Sequence, residues 1–297
     1  MIEFQERHLH ELYLPMSHNS ATFYHQAFGQ VRLTEAIVLP FGKKWDRCQN
    51  LSIYGQLKSG VRFLDLRLAT LPVNKTTSET FCVHGFVCDS LSNILDEIKN
   101  FLDDHPSETV VVSMKQGYKS LTGIKWKCDW LNVASAIGNS SILFERLAIN
   151  KTVKELAGKA VFISPTKERI GFFSDYNSIF SWSQTQESDP LRLAFKLEDW
   201  CYTKRNDANE SLYILESQCT PSDLQVRASY LPHLRWSASS SDVMFFSNLK
   251  SMHDATWPLI RNRVIKKLRR PMSIAVDFCT GIQCEEIICL NDHSKKK

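Results

Sequence analysis

"GVRFLDLRL", residues 60–68, is the stretch on which the fold turns. In an extended strand its side chains alternate, so Val61, Phe63, Asp65 and Arg67 share one face and Leu64, Leu66 and Leu68 share the other. Three leucines suit a layer of helices packed outside the strand. The opposite face ends in an acid and a guanidinium, and burying such a pair costs on the order of several kcal/mol unless it is well matched. An apolar outer face with a charged inner end fits a barrel strand that finishes at an open mouth. There the pair can close the mouth as a salt bridge or bind a charge on a ligand.

Working outward, "DSLSNILDEIKNFLDDHP" (89–106) places Leu91, Ile94, Leu95, Ile98, Phe101 and Leu102 on one helical stripe. Ser or Asp at 89–92 can cap it, and Pro106 stops it. "ETVVVSMK" (108–115) follows as a short apolar strand, and "VKELAGK" then "AVFIS" (153–164) repeats the order helix, glycine, strand. Later come "SLYILES", "DVMFFSNL", and a helix "DATWPLIRNRVIKKL" leading into "MSIAVDFC" (272–279). Strands alternating with helices predict parallel βα units. The expected fold class is therefore α/β, a distorted TIM-type (β/α) barrel occupying residues 1–297 as a single domain, with its site at the C-terminal strand ends. An open doubly wound sheet is the competing arrangement. It is disfavoured because no G-x-G-x-x-G or Walker sequence follows a strand.

The chain has 297 residues, 43% of them hydrophobic, which is enough for one large core. A net charge of +4 with no basic stripe argues against a nucleic-acid partner. The start, "MIEFQERHLHELYLP", has no apolar signal region, and no run reaches the roughly 18 apolar residues of a spanning helix. The protein is thus expected in the cytoplasm or on a membrane surface as a peripheral protein. Nine cysteines lack the paired spacing of a zinc site and are expected to be free thiols. Five Asn-x-Ser/Thr sequons, at Asn50, Asn74, Asn139, Asn150 and Asn209, do not decide the compartment.

Polar groups recur at the predicted strand ends. In "TVVVSMK" Val111, Ser113 and Lys115 share a face, and in "MSIAVDFC" Ser273, Ala275 and Asp277 do. His18 follows the short strand "YLPMS", and His84 follows "TFCV", read as the next strand after the Asp–Arg one. Two histidines across a barrel mouth suit a base and an acid, one taking a proton from a hydroxyl and the other returning one to a leaving oxygen. Arg67 and Lys115 would neutralise a phosphoryl group between them. Asp65 or Asp277 would orient an imidazole. This describes phosphodiester cleavage by a neighbouring hydroxyl. The other seven histidines lack a comparable setting.

"LPMSHNSATF", "WDRCQNLSIYGQLKSGVRFLDLRL", "FCVHGF", "ILDEIKNFLDDHPSETVVVSMK" and "SIAVDFC" together resemble the X-domain of phosphatidylinositol-specific phospholipases C. The second stretch looks most like the trypanosome glycosylphosphatidylinositol phospholipases C. The resemblance covers residues 12–118 and returns at 271–280. It implies attack of an inositol 2-hydroxyl on phosphorus, releasing diacylglycerol and inositol 1,2-cyclic phosphate. By motif position His18 would be the base, with Asp277 as its partner, and His84 the acid, with Asp65 on its side. Asn19 and Lys115 would contact inositol or phosphate. Where the mammalian enzymes carry an acidic calcium ligand this chain has Arg67, which cannot ligate a cation, so no metal cofactor is expected.

Further expectations concern binding. The substrate is a phosphoinositide or glycosylated (GPI) lipid at a membrane surface. Trp200 or Tyr202 would stack on the inositol ring or else serve as a buried core aromatic, and Lys167 or Arg169 would stand for a basic residue after "AVFIS". The basic run "IRNRVIKKLRRPM" is either an anionic-lipid contact or a solvated barrel helix, and "FYHQAF" and "IGFF" are further rim contacts. Two other readings are a cation-dependent glycerophosphodiester phosphodiesterase-like barrel and a lipid-binding pseudoenzyme.

Overall fold

The computed structural model describes residues 2–24, 45–118, 125–146, 148–164, 179–181, 187–203, 212–221, 247–268 and 270–293. Its strands are β1 (Leu14–Ser17), β2 (Phe63–Pro72), β3 (Ser78–His84), β4 (Phe86–Ser90), β5 (Val110–Gln116), β6 (Ala160–Ile163), β7 (Ile179–Ser181), β8 (Tyr213–Glu216) and β9 (Ser273–Val276). Seven of them run parallel in the order β6-β5-β2-β1-β9-β8-β7. Among the described residues no pairing joins β6 to β7.

Helices cover the outside: α1 (Ile53–Lys58), α2 (Leu91–Asp104), α3 (Trp130–Asn139), α4 (Pro190–Thr203), α5 (Leu249–Leu259) and α6 (Gly281–Ile288). Ser90 caps α2 by accepting from the Asn93 amide, and the whole predicted stripe from Leu91 to Leu102 is buried. Leu64, Leu66 and Leu68 pack under these helices, with Val112, Met114 and Ile274. Inside the barrel, Met16, Phe63, Val111, Val161 and Ala275 form a separate core, plugged from below by Phe4, Leu9 and Leu12. Register aligns this layer: Met16 pairs with Phe63 and Ala275, and Phe63 with Val111. The same phase carries Asp65, Arg67, Lys115, Glu216 and Asp277 to the mouth above the apolar layer.

One part of the expected topology is corrected. β3 is not a further parallel strand. β2 outruns its parallel neighbours, and its second half pairs antiparallel with β3, which pairs antiparallel with β4. β3 therefore runs back toward the mouth, and His84 arrives there from the opposite direction. Gly85, at φ +66°, turns the chain immediately after it.

All nine cysteines are free thiols. Among the described residues, no helix is long and apolar enough to cross a membrane. The basic run after α5 is largely matched by the barrel's own groups. Arg263 and Lys267 meet Glu198, Arg261 meets Glu286, and Arg270 stacks over Tyr213. That favours a barrel element over a lipid contact for this segment; Arg269 lies outside the described residues.

Gly60 closes α1 and admits β2. Its φ is +110°, and a Cβ there would stand 2.8 Å from the Cys284 Cβ of α6. Gly60→Ala is expected to cost about 1–3 kcal/mol, from backbone strain plus the clash. Urea unfolding checks this; an unchanged midpoint would show that α1 and α6 do not constrain the strand entry.

Candidate active site

The site is built on a turn. After β1 the amide of His18 still bonds the Val276 carbonyl (3.1 Å), and then Asn19 adopts φ +44°. Asn tolerates the left-handed region better than most residues. The turn is tied down from several sides. The Asn19 amide donates to Asp65 Oδ2 (3.2 Å), and Ser20 Oγ accepts from the Asp65 amide (2.8 Å). Gln49 donates to the carbonyls of both His18 and Val276 (2.9 Å each) and accepts from the Cys279 amide (3.1 Å). The strand ends that carry His18 and Asp277 are thereby clamped together.

His18 Nδ1 lies 2.8 Å from Asp277 Oδ1. Burial pushes this imidazole toward the neutral form, but the charge and hydrogen bond of Asp277 outweigh it, and the net pKa is raised. The side-chain NH₂ of Asn19 reaches His18 Nε2 at 3.0 Å, a geometry that suits a neutral ring with its proton on the Asp277 side. Asn19 Oδ1 is buried without a hydrogen bond. A half-turn of the amide would present that oxygen to a protonated Nε2, so Asn19 can serve either state.

His84 faces His18 edge-on, with ring centroids 6.4 Å apart. Its Nδ1 bonds the Asp46 backbone carbonyl at 2.8 Å. Burial lowers its pKa to about 4, helped by the positive His18 and Arg67. Asp65, 1% exposed, takes both Nε (3.1 Å) and Nη2 (2.9 Å) of Arg67. Lys115 Nζ lies 3.4 Å from Asp65 and 3.8 Å from Glu216. Burial disfavours the Asp65 anion, yet Arg67 and Lys115 more than compensate and hold its carboxyl well below the usual range. Asp65 thus braces two cations that are register neighbours across β2 and β5. A small pocket beside them is lined by Asn19, Thr22, Asp65, Arg67, Val83 and His84, among others.

The structure brings His18, Asn19, Asp65, Arg67, His84, Lys115 and Asp277 to one mouth. It does not put Asp65 on the acid side: that carboxylate is spent on Arg67, Lys115 and the Asn19 amide, and His84 turns to Asp46 instead. Of the two roles expected for Trp200, its packing fits the core one. It lies on α4 and packs against the outer core, away from the pocket. The side chain of Tyr202, and Lys167, Arg169 and "IGFF", lie outside the described residues. Sequence reading missed Asp46, Gln49 and Glu216. Glu216 was in reach, since it ends a strand in phase with Ile214; Asp46 ends a short helical stretch and Gln49 lies in the coil after it, neither within a periodic pattern.

The donor atoms of His18, Cys48 and Asp277 lie within 4.8 Å of one another, a spacing that a metal ion could use. The Asn19 NH₂ lies 3.0 Å from His18 Nε2 and 3.5 Å from Cys48 Sγ.

In a histidine titration followed by NMR, the His84 ring is expected to change charge near pH 4 and the His18 ring above the usual 6.5. Asp277→Asn removes what raises His18, so its midpoint must fall. Equal midpoints for both rings would contradict the electrostatic asymmetry.

Residues 14–125 match the family model described as "Phosphatidylinositol-specific phospholipase C, X domain". Among curated proteins, the chain is 31% identical over 147 residues to mouse "PI-PLC X domain-containing protein 2", covering 44% of this chain and 43% of that protein. It is 28% identical over 221 residues to a "1-phosphatidylinositol phosphodiesterase" of Staphylococcus aureus, covering 69% and 65%. The chain thus spans less than two thirds of the length of these relatives. A solved phosphatidylinositol-specific phospholipase C from S. aureus superposes with a TM-score of 0.68 at 19% identity, covering 95% of this chain and 93% of that one. The Listeria monocytogenes structure does so with a TM-score of 0.64 at 16% identity, covering 96% and 94%. These structural likenesses establish the TIM-type barrel fold.

Proposed function

We propose that the chain, whose residues 14–125 match the phosphatidylinositol-specific phospholipase C X-domain model, cleaves the phosphodiester of phosphatidylinositol or a glycosylated derivative without a metal ion. The observation that carries this reading is the pair of imidazoles set 6.4 Å apart beside the Arg67–Asp65–Lys115 cluster.

In this reading Asp277 holds the Nδ1 proton of His18, so Nε2 offers a lone pair to the inositol 2-hydroxyl. The alkoxide attacks phosphorus. The bond to the glycerol oxygen breaks, and His84 supplies the proton that this oxygen needs. The products are diacylglycerol and inositol 1,2-cyclic phosphate. Arg67 takes the phosphate charge that a metal would otherwise meet, by virtue of a planar, permanently charged fork. Lys115, between Asp65 and Glu216, would hold an inositol hydroxyl or phosphate oxygen.

Proton count sets the pH response. From about pH 4 up to the raised pKa of His18, the two rings together carry one proton more than two neutral imidazoles would. That is the number the reaction uses, and it belongs to the pair. Free enzyme holds it on His18. A phosphate monoanion beside His84 raises that ring's proton affinity and lets it serve as acid. Below about 4 a second proton blocks the base; above the His18 value no proton remains for the acid.

His18→Ala and His84→Ala should each lower kcat by roughly 10²–10⁴-fold. kcat/KM should follow a bell whose alkaline limb moves to lower pH in Asp277→Asn. The deciding assay incubates the protein with labelled phosphatidylinositol and with a glycosylated anchor in excess EDTA and detects the cyclic phosphate. Activity abolished by EDTA and restored by a divalent ion would refute the metal-free route. Lipid binding with no product would mark a pseudoenzyme.

A further inference from the structure

The general acid needs a partner, and the residue expected to provide it is engaged elsewhere. Asp65 is committed to Arg67, Lys115 and the Asn19 amide. The last described helical residue before α1 supplies another carboxyl. Asp46 accepts from His84 Nδ1 through its backbone carbonyl (2.8 Å), and its side-chain Oδ1 lies 4.0 Å from the same nitrogen. We propose that Asp46 positions the general acid: its carbonyl fixes the Nδ1–H tautomer of His84, and its carboxylate is the counter-charge for the imidazolium. The inference rests on the reading of His84 as the acid.

Three features support it. First, the Nδ1–H bond leaves Nε2 as the nitrogen that exchanges protons, the one free to reach a leaving oxygen. Second, the charged groups bearing on His84 are largely unhelpful to an imidazolium. His18 and Arg67 both disfavour its charge, Asp277 favours it from behind His18, and the Cys88 thiol near its backbone is neutral. Among the described residues, Asp46 is the acid in contact distance. Third, Asp46 is itself buried enough that its carboxyl is raised to about 7. The thiols of Cys48 and Cys88, the other titratable groups near it, are pushed up by burial and stay neutral. A buried carboxyl of this kind gains its charge most readily when a cation forms beside it, which is what protonation of His84 provides. A closing rotation from 4.0 Å to hydrogen-bond distance makes the ion pair.

The test separates an acid partner from a packing residue by the leaving group. Diacylglycerol leaves as an alkoxide that must be protonated; nitrophenol leaves without help. Asp46→Asn keeps the backbone carbonyl and the shape but loses the charge. It should lower kcat on phosphatidylinositol by about 10-fold or more, within the 10²–10⁴-fold that loss of the acid itself would cost. On a nitrophenyl inositol phosphodiester its rate should stay near wild type, and Asp46→Glu should regain much of the loss. Equal loss on both substrates, or none on either, overturns the proposal. His84→Ala is the control: if it is equally slow on both substrates, the acid assignment fails, whatever Asp46 does. A readout in the unmodified protein guards against a misfolded variant. The ¹⁵N spectrum of neutral His84 should show the proton on Nδ1, and a proton on Nε2 overturns the tautomer claim.

Discussion

A single buried carboxylate organises the mouth of this barrel. Asp65 accepts from Arg67, neighbours Lys115, and receives the amide of Asn19 from the turn after β1. Three separate segments therefore depend on one charge. Its burial would be prohibitive alone; with two cations and a backbone donor it stays ionised, and the cations in turn stay in place beside each other. Removing it would leave Arg67 and Lys115 repelling each other across adjacent strands.

From that anchor the asymmetry of the two histidines follows. Both rings are partly buried near the same positive cluster, and burial disfavours charge on both. Asp277 reverses the outcome for His18, while among the described residues no carboxylate is hydrogen-bonded to His84. A pair split in this way holds one proton over a wide pH range, and the location of that proton responds to whatever anion enters. Gln49 matters here as a mechanical part. By bridging the carbonyls of His18 and Val276 it keeps the His18–Asp277 distance short.

Much of this could be read from the chain. The alternation in "GVRFLDLRL" and the stripe in 91–102 are local signals, because a strand's pleat and a helix's turn impose fixed periods on burial. They located both layers of the core and pointed Asp65, Arg67 and Lys115 into the mouth. The antiparallel return of β3 and β4 was not legible: a strand's periodicity is the same whichever way its neighbour runs, and β2's extra length shows only when it outruns β1 and β5. Trp200 illustrates another limit. An aromatic on a helix carries no mark of which side of the barrel wall it serves.

What the sequence determined by itself is the inventory: two histidines after strand-like runs, an acid and a guanidinium in phase, a lysine and an aspartate at strand ends. What only the tertiary structure decided is the pairing. Asp65 and Asp46 are equally available carboxylates in one dimension, separated from His84 by 19 and 38 positions. Folding gives the first to Arg67 and the second to His84, because an ion pair or hydrogen bond is selected by distance across the mouth, and that distance is set by the register of strands brought together from opposite ends of the chain.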